Sequence, residues 1–247
     1  VNNEIKELHP DLKGEWISGS RIYKEGESMY NLYLVKYAGV DKTTGKALYH
    51  AFDVEYDDAG EEISRTPCVT SDYNKATSTG RAATGNILPE VYGGFGTNLQ
   101  FHGFDLSVSL AYQMGGKIID SGYQNLMHNG TSSDAGRNWH KDILNAWSPE
   151  NKNTNIPRLD AIDSYTNSLS TRFITSSDYF SINNITLGYT LPKRWTNALG
   201  VESLRLYGAA DNVALFCARK GMDPRQGYTS STNATYGALR TISGGIK

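Results

Sequence analysis

Gly103-Phe-Asp-Leu-Ser-Val-Ser-Leu-Ala-Tyr-Gln113 alternates large apolar with small or polar residues without a break. Side chains of a β-strand point to opposite sides in turn, so Phe104, Leu106, Val108, Leu110 and Tyr112 share one face. Asp105, Ser107, Ser109, Ala111 and Gln113 share the other. About 10 such residues are also what a tilted strand needs to cross a bilayer in a β-barrel. The pattern extends in both directions. Upstream, Phe95, Thr97, Leu99 and Phe101 alternate with Gly94, Gly96, Asn98 and Gln100, and a brief turn at His102-Gly103 makes the two runs a hairpin. Downstream, Ile185, Leu187, Tyr189 and Leu191 oppose Asn184, Thr186, Gly188 and Thr190. Glu202 to Phe216 reads as a further strand whose phase is lost at Gly208-Ala-Ala210, and a last strand begins around Tyr236 and runs to Lys247.

Composition is compatible with that reading. A mean hydropathy of -0.48 understates a membrane barrel, which places its apolar surface in every second residue. No apolar stretch approaches the ~18 residues that a spanning helix requires. The 24 Lys and Arg against 26 Asp and Glu give a formal charge of -2 with no basic stripe, so nucleic-acid binding has no support. Sixteen tyrosines fit aromatic belts at membrane interfaces. The two cysteines, Cys68 and Cys217, lack metal-type spacing and read as free thiols. The histidines, His9, His50, His102, His128 and His140, show no ligand spacing, and no catalytic or nucleotide-binding motif occurs, so the expectation is no enzyme, no metal and no cofactor. The acidic run Asp53, Glu55, Asp57, Asp58, Glu61 and Glu62 lacks the spacing of a Ca²⁺ loop. Three Asn-x-Thr triplets, at Asn129, Asn184 and Asn233, are read as chance.

Residues 1–92 form the less regular part, with turns at Asp41-Lys-Thr-Thr-Gly45 and Asp57-Asp-Ala-Gly60. Met29–Tyr37 and Lys46–Phe52 read as a hairpin and Thr70–Thr84 as loop. Residues 93–247 hold the strands, interrupted by long loops at 120–177 and 219–235. Inside the first of these, Trp139, Ile143 and Trp147 at i, i+4 and i+8 predict a short amphipathic helix ending before Pro149. Long and short connections alternate, as outer-membrane barrels alternate long outer loops with short periplasmic turns. About five spanning strands result, too few to close a barrel, for which about 8 is the minimum.

A family resemblance accounts for the shortfall. Glu25-Gly26, Tyr37-Ala-Gly39-Val40-Asp41 with Thr44-Gly45, Leu88-Pro89 and Tyr92-Gly-Gly94 occur in an order that resembles the C-terminal region of SusC/RagA-type TonB-dependent outer-membrane transporters. The order continues through Phe101-His-Gly103-Phe104-Asp105-Leu106, Tyr112-Gln113-Met-Gly115-Gly116, and Trp147-Ser-Pro149-Glu150-Asn151 with Thr154 and Pro157. It ends with Ser177-Asp178-Tyr179-Phe180, Asn184-Ile185-Thr186-Leu187-Gly188-Tyr189, Asp211-Asn212 and Lys220-Gly221-Met-Asp223-Pro224. The resemblance implies an all-β fold: the last antiparallel strands of a barrel of roughly 22 strands, carrying long extracellular loops. It also implies that the N-terminal plug and the TonB-binding segment lie outside this chain, and that the chain is truncated at both ends. The implied function is uptake of an oligosaccharide or peptide across the bacterial outer membrane, powered by the TonB complex, with a SusD-like surface lipoprotein as partner and outer-membrane lipid around the barrel.

Two residue sets are candidates for that function. Trp139, His140 and Trp147 in the long loop offer aromatic faces to a ligand or partner, or pack the loop on itself. Asp105, Gln113, Asn184 and Arg205 are candidates for facing the lumen, where polar residues are in any case the norm. The alternative from another class is a soluble β-sandwich carbohydrate-binding module, in which the apolar face would meet a second sheet.

Overall fold

The computed structural model of the chain describes residues 3–198, 200–226 and 237–247. It is built of antiparallel sheets. In chain order the strands are β1 (Glu15–Ser18), β2 (Arg21–Lys24), β3 (Asn31–Val35), β4 (Tyr37–Val40), β5 (Ala47–Tyr56), β6 (Glu62–Thr70), β7 (Arg81–Asn86), β8 (Val91–Phe101), β9 (Phe104–Met114), β10 (Lys117–Ile119), β11 (Ile174–Ser176), β12 (Tyr179–Thr190), β13 (Arg205–Cys217) and β14 (Thr241–Ile246). Three short α-helices join them: α1 (Tyr73–Thr79), α2 (Ser121–Leu126) and α3 (Lys193–Ala198). The residues group into two compact units. One gathers the described residues of 3–87 and 118–175, and the other those of 88–117, 176–226 and 237–247.

The second unit is a five-stranded meander in the order β14-β13-β12-β9-β8. Its hairpin turn at His102-Gly103 has φ of 48° and 83°, the paired positive values of the tight turn whose twist suits flanking strands. Phe101 pairs with Phe104 across it, and pairing then runs unbroken to Val91 and Met114. Between β9 and β12, Phe104 faces Tyr189, Leu106 faces Leu187 and Val108 faces Ile185. A register shift at Asn183 follows. Beyond it Ile182 faces Leu110 and Phe180 faces Tyr112, so residues of opposite sequence parity return to the same face. The adjoining strand shifts at the same level: Ile182 pairs with Ala214 and Asn184 with Asp211, leaving Asn212 and Val213 opposite Asn183. Asn212 adopts φ of 50°. The lost phase expected at Gly208-Ala-Ala210 therefore lies a few residues later, since Gly208, Ala209 and Ala210 pair in regular register and the extra residue sits at a bulge.

One face of this sheet is apolar and uncovered. Phe95 is 63% exposed, Leu99 58%, Leu187 52% and Ile246 72%. Aromatic residues bracket it at both ends. Phe104 and Tyr189 pack at 4.5 Å beside the tight turn, and Phe180 and Phe216 at 6.2 Å at the opposite end. Tyr112 lies across its strand partner Gly93, where an added Cβ would come 2.9 Å from the phenol oxygen. Such an apolar band between two aromatic belts is the outer surface of a membrane barrel.

The first unit holds a four-stranded sheet, β1-β2-β3-β7, and a three-stranded one, β4-β5-β6. The expected hairpin from Met29 to Phe52 is split at Lys36. β3 pairs with β7, and only β4 continues into the turn and pairs with β5. That turn is held by Asp41, whose Oδ1 accepts from the Thr43 and Thr44 amides, with Gly45 at φ of 75°. The stretch Thr70–Thr84, expected as loop, instead contains α1 and most of β7. Asp72 caps α1 by accepting from the Asn74 and Lys75 amides, and burial of Ala76 and packing of Tyr73 against Tyr49 override the weak helix propensity of Thr, Ser and Asn. The expected loop over 219–235 and the start of the last strand at Tyr236 fall, from residue 227 on, outside the described residues; β14 begins at Thr241.

The two-faced sheet makes a direct prediction. In the full-length protein, Val108→Arg places a charge on the bare apolar face and should cost about 2–4 kcal/mol near the bilayer midplane. Ser107→Arg, on the opposite face, should cost far less. Unfolding titrations of the two variants in lipid check the contrast, and equal losses would contradict it.

Candidate functional site

The polar face of the barrel sheet brings two of the sequence candidates together. Arg205 of β13 reaches across Gly188 of β12 to Asp105 of β9, with Nε donating to Oδ1 at 2.8 Å and Nη2 to Oδ2. The guanidinium also lies 5.2 Å from the Tyr207 ring. Gly188 is what makes the span possible, because a Cβ there would collide with the Arg205 guanidinium and come 2.5 Å from the Asp105 carboxylate. A planar fork meeting a carboxylate in two parallel bonds is the strong form of this interaction. Higher on the same face, Asn184 donates through Nδ2 to Asp211 at 2.7 Å and accepts from the Thr186 hydroxyl at 3.0 Å. Ser181 donates to Asn183 Oδ1 at 2.8 Å. Gln113, at the end of β9, donates to the carbonyl and hydroxyl of buried Ser177 at 3.3 and 3.1 Å. Sequence reading missed Asp211, Asn183 and Tyr207 as members of this face. Tyr207 and Asp211 follow Arg205 in simple alternation, which the small residues at Gly208–Ala210 had obscured, and only Asn183 depends on the bulge.

The loop candidates lie in the other unit, in three separate surroundings. Trp139 stacks on His128 with ring centroids 4.7 Å apart and donates through Nε1 to the His128 carbonyl at 2.8 Å, while the residue stays 47% exposed. His140 packs edge-on against Tyr123 at 4.9 Å, and its Nδ1 accepts from the Asp142 amide. The Tyr123 hydroxyl donates to Asp142 at 3.0 Å, and burial, reinforced by that carboxylate, pushes the phenol up to about 12. Trp147 donates to the Lys42 carbonyl at 3.2 Å, and its ring fills the space that a side chain at Gly45 would need. The expected helix through Trp139, Ile143 and Trp147 is not formed. A 3₁₀ segment covers only Lys141–Asn145, where residues three apart eclipse, and the two indoles outside it are held by different carbonyls.

Three phenols organise the packing around them. Tyr49, fully buried, donates to the Tyr165 carbonyl at 2.6 Å; Tyr73 donates to the Leu169 carbonyl at 2.6 Å and Tyr37 to that of Asn155 at 3.1 Å. Burial raises Tyr37 to about 12 and Tyr49 further still. Arg172 lies among these rings, 5.7 Å from Tyr37 and 5.0 Å from Phe173, and donates to the Thr166 carbonyl. Four of the six residues of the acidic run are engaged within the protein: Asp53 pairs with Lys75, Glu55 accepts from Ser64, Glu62 pairs with Arg65, and Asp57 caps its own turn.

Two outcomes follow. Gly188→Leu should wedge apart the Asp105–Arg205 pair and cost about 1–3 kcal/mol by overpacking. Gly208→Ala, where the nearest atom to an added Cβ is 4.0 Å away, should be tolerated, and thermal unfolding of the full-length protein in detergent compares the two. The second concerns acid. Asp134 is held below the usual carboxylate range by the Thr131 hydroxyl, with charge from His128 and Arg137 adding to it. Its stabilising effect is complete above the ordinary value of 3.8 and is lost as pH falls through the lower folded value. Limited proteolysis of the 128–140 segment should rise below that value in the wild type, and Asp134→Asn should lack this acid step.

Comparison with known proteins places these features. No family model matches the chain. It is 27% identical over 215 residues to TonB-dependent receptor P3 of Formosa agariphila, covering 87% of this chain and 20% of that protein. It is also 27% identical over 258 residues to TonB-dependent receptor P39 of the same organism, covering 91% and 24%. Among solved structures, the RagAB peptide transporter aligns with a TM-score of 0.78 and 25% identity over 98% of this chain and 25% of that chain. The RagAB peptide importer in its open-open state aligns with a TM-score of 0.77 and 24% identity. The chain thus spans about a fifth to a quarter of the length of the proteins it matches. By sequence it is similar to a segment of TonB-dependent receptors, and by fold to about a quarter of a chain of the RagAB peptide transporter.

Proposed function

We propose that the chain supplies barrel wall and outer loops to a TonB-dependent nutrient importer, and that it acts by binding and gated passage rather than by catalysis. The observation that supports this best is the five-stranded sheet with an uncovered apolar face on one side and the Asp105–Arg205 and Asn184–Asp211 pairs on the other. In this reading the apolar side meets lipid, and Asp105, Gln113, Asn184 and Arg205 face the lumen of a barrel of roughly 22 strands. The unit containing residues 3–87 and 118–175 is extracellular. The exposed part of Trp139, together with His140 and Trp147, belongs to the loops that meet substrate or a SusD-like surface lipoprotein. Plug and TonB-binding segment come from the rest of the protein. The cargo is an oligosaccharide or a peptide, and likeness to a peptide transporter favours the peptide.

Purification of the full-length complex from outer membranes, with mass spectrometry of both protein and small-molecule fractions, tests the reading. Expected are a chain several times longer than this one, a co-purifying lipoprotein and a bound peptide mixture. A bound glycan would transfer the assignment to oligosaccharide uptake, and a water-soluble chain of this length would overturn it.

A further inference from the structure

Residues 146–170 form neither α-helix nor β-strand, yet they are fixed at both ends to one hairpin of the same unit. β4 and β5 make that hairpin, with the Asp41–Gly45 turn at its tip and the cross-strand pair Tyr37 and Tyr49 toward its base. At the tip the donors belong to the long segment. Trp147 Nε1 donates to the Lys42 carbonyl at 3.2 Å, the Arg158 amide to that of Gly45 at 2.9 Å, and Arg158 Nη1 to that of Thr44 at 3.0 Å. At the base the direction reverses. The Tyr49 hydroxyl donates to the Tyr165 carbonyl, Tyr73 of α1 donates to that of Leu169, and the Tyr37 amide donates to the Thr171 hydroxyl at 2.9 Å. Tyr37 reaches the earlier part of the segment as well, through its hydroxyl, which donates to the Asn155 carbonyl at 3.1 Å. The rings pack in series: Tyr37 on Tyr49 at 5.9 Å, Tyr49 on Tyr73 at 5.2 Å, and Tyr73 on Tyr165 at 6.3 Å.

We propose that residues 146–171 are a strap that closes along the β4–β5 hairpin and opens as one piece, so that the stretch ahead of β8 and the stretch between β9 and β12 move together. Two features argue for joint rather than piecemeal opening. A segment without a ladder of its own relies on the hairpin for these bonds, so release at one end leaves the adjoining part unsupported. Tyr37 serves both parts at once, through its amide and its hydroxyl, and its strand runs directly into the turn that is clamped at the tip. A partner or cargo molecule that grips either stretch therefore displaces both. The device rests on bonds inside one unit and not on which nutrient is carried.

Hydrogen exchange read by mass spectrometry on the full-length protein in detergent tests it. Arg158→Ala removes a bond at the tip, and protection should fall roughly tenfold both around residues 41–45 and at 165–172, because a bond from a charged group is lost and the opening is shared. Tyr73→Phe loosens the base and should lower protection at 147–158 as well as at 165–172. In both variants the amides of β9 and β12 should exchange as in the wild type. An effect confined to the substituted end in either variant would overturn the proposal. So would an equal loss of protection across β9 and β12, which would mark unfolding of the whole protein rather than release of the strap.

Discussion

A sheet inside a bilayer must meet every backbone polar group with a neighbouring strand while keeping one face apolar along its full length. In this chain the two demands conflict at one level, because the apolar residues of β12 change parity between Ile182 and Ile185. The bulges at Asn183 and at Asn212–Val213 resolve the conflict together. A bulge in β12 alone would leave β13 out of step. Shifts at the same level keep Phe180 beside Phe216, above the bulges, on the same apolar face as Leu187 beside Gly208 below them. Asn184 meets Asp211 and Arg205 meets Asp105 because the register below the bulges is undisturbed, and Gly188 leaves room for the second pair.

The other unit is built on a different principle. Its centre is aromatic and hydrogen-bonded: Tyr37, Tyr49 and Tyr73 each bury a ring and donate the hydroxyl hydrogen bond to a carbonyl more than ninety positions later in the chain. Buried phenols of this kind join hydrophobic area to a satisfied polar group. They give order to a stretch, 155–169, that forms no α-helix or β-strand of its own.

How much of this was legible depended on whether the signal was local. The hairpin through His102-Gly103 and the alternation in β9 are short-range patterns, and the structure follows them residue for residue. The turns at Asp41 and Asp57 were equally plain, since a carboxylate that accepts from its own following amides is a local event. Two kinds of feature stayed hidden. The helix at Tyr73–Thr79 forms against its own composition because Ala76 and Tyr73 are buried by segments distant in sequence. Trp139, Ile143 and Trp147 follow helical spacing by accident, because each indole is claimed by a separate carbonyl, His128 or Lys42. Of the site candidates, the pairing of Asp105 with Arg205 needed a register that one sequence does not supply, and Asp211 was hidden by the run of small residues at Gly208–Ala210, which broke the apparent alternation.

The stem of the long loop has a consequence for how this protein can change. β9 and β12 are neighbours in the sheet although the whole 115–178 excursion separates them. The junction is fastened by the Asp178 bond to Gly115, the bond from the Ser177 amide to the Gly116 carbonyl at 3.0 Å, and the Gln113 bonds to Ser177. Fastened there, the two strands keep their alignment whatever lies beyond the knot. The excursion can then lengthen, shorten or exchange its aromatic surface in evolution without moving a single residue of the barrel wall from lipid to lumen.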